Sequence, residues 1–154
     1  MYREKSKQQQ QLENFHLPFG GHLDEENRWV ILSNLVPWDE IEQEYKKTLS
    51  DTGMGAPAKP LRMALGALII KEKLQISDRE VVDQIRETPY LQYFIGMEGY
   101  QDKAPFDPTM MVSFRKRLDG QLIQKTNEIL LKEYQESLRK KKRKIRNPWK
   151  FFKR

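Results

Sequence analysis

Most of the side chains that usually do chemistry are sparse or missing here. His16 and His22 are the sole histidines and there is no cysteine, so nothing completes a zinc site. No glycine-rich loop has phosphate-binding spacing. Asp102, Asp107 and Asp119 fall in stretches that read as loops or helix starts, where a short carboxylate serves turns and caps. What remains is positive charge beside hydroxyls. Arg115, Lys116 and Arg117 close the run Pro105 to Leu118, with Thr109 and Ser113 upstream. On a helix, Met111, Phe114 and Leu118 share one side, while Thr109, Ser113 and Lys116 point most directly away from it. Arg115 and Arg117 flank the apolar stripe. Such a face suits phosphate contacts, which give affinity and position but not sequence choice. The competing expectation is that Arg115 and Arg117 lie over the core edge and pair with nearby acids.

The end of the chain is the second cationic feature. Residues Arg139 to Arg154 hold ten of the 28 basic residues and no acid, among them Arg139, Lys140, Lys141, Lys142, Arg143, Lys144 and Arg146. That leaves 18 basic against 22 acidic residues before it, so the net charge of +6 belongs to the tail. A body that binds DNA must therefore do so with a local patch. Trp149, Phe151 and Phe152 among the cations suit phosphate backbones and stacking on unpaired bases. Contact with an anionic membrane, or a reading-frame slip in adenine-rich lysine codons, accounts for the same composition.

The elements that must position these groups read as helices. Glu25 to Val36 places Trp29, Leu32 and Val36 on one face, and about Asp39 to Leu49 repeats Ile41, Tyr45 and Leu49 at intervals of four. Pro60 to Leu74 sets Leu61, Leu65, Leu68 and Ile69 along one stripe that Met63, Ala64, Ala67 and Ile70 widen, as a buried spine would. Ser77 and Glu80 have capping-box spacing, Pro89 suits a first helical position, and Asp107-Pro108 opens another start. Asp119-Gly120 interrupts. A last helix, Leu122 to Leu138, turns Leu122, Thr126, Ile129, Leu130 and Tyr134 inward. No stretch reads as a strand, so the fold class is all-α. The organisation expected is a disordered polar segment at 1–14, a helical domain at 15–138, and a disordered basic tail at 139–154.

Within that domain, Asp78 to Ile95 resembles a helix-turn-helix whose second helix offers Tyr90, Gln92 and Tyr93 to DNA. Two short helices that simply pack, with Tyr90 and Tyr93 partly buried, explain the same pattern. Leu65 to Ile70, the most apolar run, is far short of the roughly 20 residues that span a bilayer. With no cysteine and no secretory leader in the first 14 residues, a soluble, cytoplasmic protein is expected.

The segments KPLRMALGALIIKEKL, ISDREVVDQIRETPYLQYFIGM and PFDPTMMVSFRKRL, in that order and preceded by Leu35-Val-Pro-Trp-Asp39, resemble the N-terminal domain of bacterial insertion-sequence transposases of the InsH-like type. The likeness runs over roughly residues 15 to 135. It implies binding of double-stranded transposon-end DNA. It also implies a nuclease domain whose DDE carboxylates converge on two divalent metals, and this sequence ends before one. No catalytic residue, metal or cofactor is therefore expected here. The partners it implies are duplex DNA, a second copy, or a full-length transposase that this chain pairs with and inhibits. An inert remnant of a decayed gene is the remaining reading.

Overall fold

The computed structural model describes residues 12–48, 59–118 and 120–145. Its elements begin where local chemistry satisfies the unpaired amides of a first helical turn. The Asn27 side chain accepts from Trp29 N–H at 2.9 Å and opens α1 (Arg28–Leu35). Beyond Pro37 comes α2 (Trp38–Thr48), with Asp39 and Glu40 in its first turn. Pro60 precedes α3 (Leu61–Leu74), which ends at Gln75 in the left-handed region, φ 54°. Ser77 Oγ accepts from Glu80 N–H at 3.2 Å to start α4 (Asp78–Glu87). Pro89 is the first residue of α5 (Pro89–Phe94). The Asp107 carboxylate takes the Thr109 amide at 2.9 Å ahead of α6 (Met110–Arg117), and α7 runs from Gly120 to Ile145. Among the described residues there is a short 3-10 turn at Leu12–Asn14, one isolated bridge between His16 and Gly99, and no strand. The chain is all-α.

Helix α3 lies at the centre, packed against α2, α4, α5 and α6. Leu61, Ala64, Ala67 and Ile70 are buried on it, facing a core that includes Ile41 and Tyr45 of α2, Val81 and Ile85 of α4, Phe94 of α5 and Phe114 of α6. Gly66 lets α5 come close: a Cβ there would lie 3.0 Å from Ile95 Cγ2. Phe94 sits between two indoles, edge-on to Trp29 at 5.3 Å and Trp38 at 5.5 Å. An ion pair of Glu44 with Lys125, 2.9 Å, ties α2 to α7.

Several expected details change. The buried side of α3 is rotated, so Leu68 and Ile69 are half-buried while Ala64, Ala67 and Ile70 are fully enclosed. Partners on several sides, not the α3 pattern alone, decide its innermost face. Tyr134 points outward, because the body ends beneath the first turns of α7 and has nothing to receive it. The last helix runs past its expected end at Leu138: α7 continues without interruption through Arg139 to Ile145, lysine and arginine being good helix formers. Residues 1–11, the Gly/Pro-containing 49–58, Asp119 and 146–154 lie outside the described residues, as do the expectations placed on them.

Candidate nucleic-acid interface

Helix α6 owes its orientation to Met111, Phe114 and the following Leu118, all buried, with Phe114 edge-on to Phe106 at 5.1 Å. The opposite side exposes Val112, Ser113 and Lys116, as the helical spacing requires. Thr109 is also exposed, but its hydroxyl donates to Asp107 at 2.6 Å and serves the helix start.

The two arginines differ. Arg115 is exposed, and both its Nη atoms reach the Asp78 carboxylate at 2.9 Å. Lys71 approaches the same carboxylate at 2.9 Å. One anion at the start of α4 thus joins α3, α4 and α6. The Arg115 hydrogen bonds, then that of Lys71, hold the Asp78 carboxyl well below its usual range, at about 2. The forked geometry fixes the guanidinium plane, and two cations on one carboxylate leave the cluster positive. Arg117 is half-buried and faces Tyr45, whose phenol is pushed up by burial against the opposing influence of Arg117. Lys116 has no ion-pair partner among the described residues.

The helix-turn-helix candidate is arranged otherwise. Gln92 and Tyr93 are buried, so neither can meet a base edge. The Gln92 amide nitrogen lies 3.0 Å from Ile85 O, 3.1 Å from Arg86 O and 2.7 Å from Gln101 O, while its oxygen accepts from Gln101 N–H at 2.8 Å. It clips the end of α4 to the loop that leads to α6. Tyr90 is half-buried and its hydroxyl accepts from Asp24 N–H at 3.0 Å, pinning the segment before α1. The physical reason is size: α5 has six residues, and Leu91, Gln92, Tyr93 and Phe94 are all enclosed.

One site went unread in the sequence. Arg62, only 6% exposed, lies in the core with Nε donating to Phe94 O at 2.9 Å and Nη2 to Tyr93 O and Ser33 Oγ at 2.8 Å. Its guanidinium sits 5.0 Å from the Trp38 ring and 5.5 Å from that of Tyr93. The carbonyls it meets lie at the end of α5, where Tyr93 O also accepts from Gly96 N–H at 3.0 Å. Burial lowers its pKa to about 10, so it stays charged near neutrality. Gly96, at φ +83°, makes room: a Cβ there would lie 2.8 Å from Arg62 Cδ. A lone arginine beside Leu61 and Met63 on an otherwise apolar surface was the available signal.

Arg139, Lys140, Lys141 and Lys142 are exposed on the last turns of α7. Arg143 and Lys144 continue the helix, and Arg146 lies outside the described residues. At 1.5 Å per residue these turns stand about 30 Å along the axis from Gly120, so α6 and the cationic end form two separate features. Among the described residues no three His, Asp or Glu side chains are grouped to hold a metal ion, and no helix is long and apolar enough to cross a membrane.

Comparison with known sequences gives the family. The model of the transposase domain DUF772 matches residues 18–117, which include α1 to α6. The chain belongs to this transposase-domain family. It is also similar to a protein of Rhizobium meliloti named "Uncharacterized protein ORF8 in nfe locus", with 34% identity over 92 residues. That match covers 60% of this chain and 44% of the rhizobial protein, so the chain spans less than half of that relative. No solved structure matches. Helices α1 to α6, the Asp78 node and the buried Arg62 thus belong to a DUF772 domain, and a role connected with transposition follows from membership.

Proposed function

We propose that this DUF772 domain binds double-stranded transposon-end DNA, in the cytoplasm of a bacterial cell, as the likeness to InsH-like transposases implies. The observation that carries the reading is the outer face of α6: Ser113 and Lys116 stand exposed above a buried stripe, with Arg115 held in place beside them by Asp78. A helix fixed on one side and cationic on the other is suited to lie along phosphates. The exposed Arg139 to Lys142 turns of α7 add affinity without sequence choice. No cutting or joining chemistry is assigned to any residue of this domain, and no cofactor is invoked for binding. The test is a titration of transposon-end and scrambled duplexes with the whole chain at several salt concentrations. Stronger binding to the end sequence supports the reading; equal binding to both reduces it to charge attraction, and no binding at low salt removes it.

A second reading is a module that pairs with intact transposase. It is favoured by the outward apolar residues of α7, among them Leu131, Tyr134 and Leu138. Co-purification of this chain with a full-length transposase separates the two.

A further inference from the structure

Only the first turns of α7 are covered by the body, through Leu122 and Thr126, with Ile129 and Leu130 half-buried. Beyond them Leu131, Tyr134 and Leu138 are 60%, 53% and 39% exposed, at spacings of three and four along one line. This line is turned by more than a right angle from the side that Leu122 and Thr126 bury. One flank of it carries Glu128, Gln135 and Lys142, seven residues apart and all exposed.

We infer that α7 pairs antiparallel with α7 of a second copy of this chain. A two-fold axis through Gln135 packs Leu131, Tyr134 and Leu138 of each copy among those of the other. It also sets Glu128 of each opposite Lys142 of the other, with Gln135 facing its own counterpart. Charge selects this orientation. A parallel pair would stack the exposed Arg139 to Lys142 turns of both helices side by side, whereas the antiparallel pair places them at opposite ends. Length permits it as well: residues 131 to 145 run about 21 Å past the covered turns, room for the partner's corresponding turns to lie alongside. The pairing deepens the interaction reading above by naming its surface, its partner and its orientation, and it does not depend on DNA recognition by α6.

The whole chain has no cysteine, which makes cross-linking a clean test. Glu128→Cys and Lys142→Cys chains should each fail to cross-link with themselves, because antiparallel pairing holds like positions about 21 Å apart. Mixed and oxidised, they should give a disulfide-linked pair. Self-linking of either variant alone would overturn the antiparallel arrangement. In parallel, sedimentation of the wild-type chain should show a concentration-dependent dimer, and Leu131→Glu with Leu138→Glu should weaken it by about 100-fold or more. Both positions are exposed, so circular dichroism should report unchanged helix content. A wild-type chain that remains monomeric sinks the self-pairing outright. A dimer indifferent to the double substitution leaves pairing standing but moves it off α7.

Discussion

Helices α5 and α6 are short, each mixes apolar and polar residues, and each follows a proline-containing start, yet they meet opposite fates. Helix α5 is enclosed through four successive residues, and its one amide side chain, Gln92, is spent on backbone groups of α4 and the following loop. Helix α6 buries only its Met111/Phe114 side and leaves Ser113, Arg115 and Lys116 in solvent. The difference lies in the number of partners. Around α5 stand α1, α3 and α4, whereas α6 rests chiefly on α3. A polar residue on a short helix is therefore a candidate for recognition only after its neighbours are known.

The comparison is open to attack in order of expected effect. Phe94→Ala should be the most damaging change in α5, because it empties the space between Trp29 and Trp38; a loss of about 3–5 kcal/mol is expected by urea titration. For a domain with roughly 5–15 kcal/mol in total, many molecules would then be unfolded at modest denaturant. Gln92→Ala comes next. It strands the amide of Gln101 and carbonyls near the end of α4, at about 1–3 kcal/mol, while DNA affinity per folded molecule should not change. Loss of affinity with stability intact would return Gln92 to the interface.

Acid tests the node that seats α6. Asp78 titrates at about 2 in the folded chain against 3.8 for an unperturbed aspartate, and Glu44 at about 2 against 4.5. Both folded values are depressed, so their stabilisation is complete above about pH 4.5 and is lost as the pH falls through 4 toward 2. Asp78→Asn should flatten part of that loss. The Asp78 pairs are solvent-accessible, and their contribution should stay within about 1 kcal/mol. A midpoint independent of pH over that window would show that the node holds nothing. The smallest stability effect is expected on the outer face of α6, where Lys116→Ala should change unfolding by less than about 0.5 kcal/mol.

The helix starts were legible in the sequence because caps are local: Ser77, Pro89 and Asp107 act within a few residues of themselves. The outward placement of Ser113 and Lys116 was legible for the same reason, since one turn of helix fixes it. The expectation that Arg115 pairs with an acid held too, though its partner, Asp78, lies 37 residues away and carries no sequence mark. Less could be read wherever distant segments decide burial. Leu68 and Ala67 look interchangeable as apolar neighbours, yet only Ala67 is fully enclosed. Arg62 has no local mark of its place, because the α5 carbonyls that receive it lie 31 and 32 residues further along the chain. Tyr134 continued an inward pattern past the point where the body stops, and the cationic tail hid the fact that its first residues are good helix formers.

The claim on which the functional reading rests is that the outer face of α6 touches phosphate. It is tested most directly by the salt dependence of duplex binding for the wild type and Lys116→Ala, both as the whole chain. Loss of one phosphate contact should lower affinity on every duplex and reduce the slope of log K against log salt by about one, with unfolding unchanged. An unaltered slope and affinity would contradict the account and leave the cationic end of α7 as the source of any binding observed.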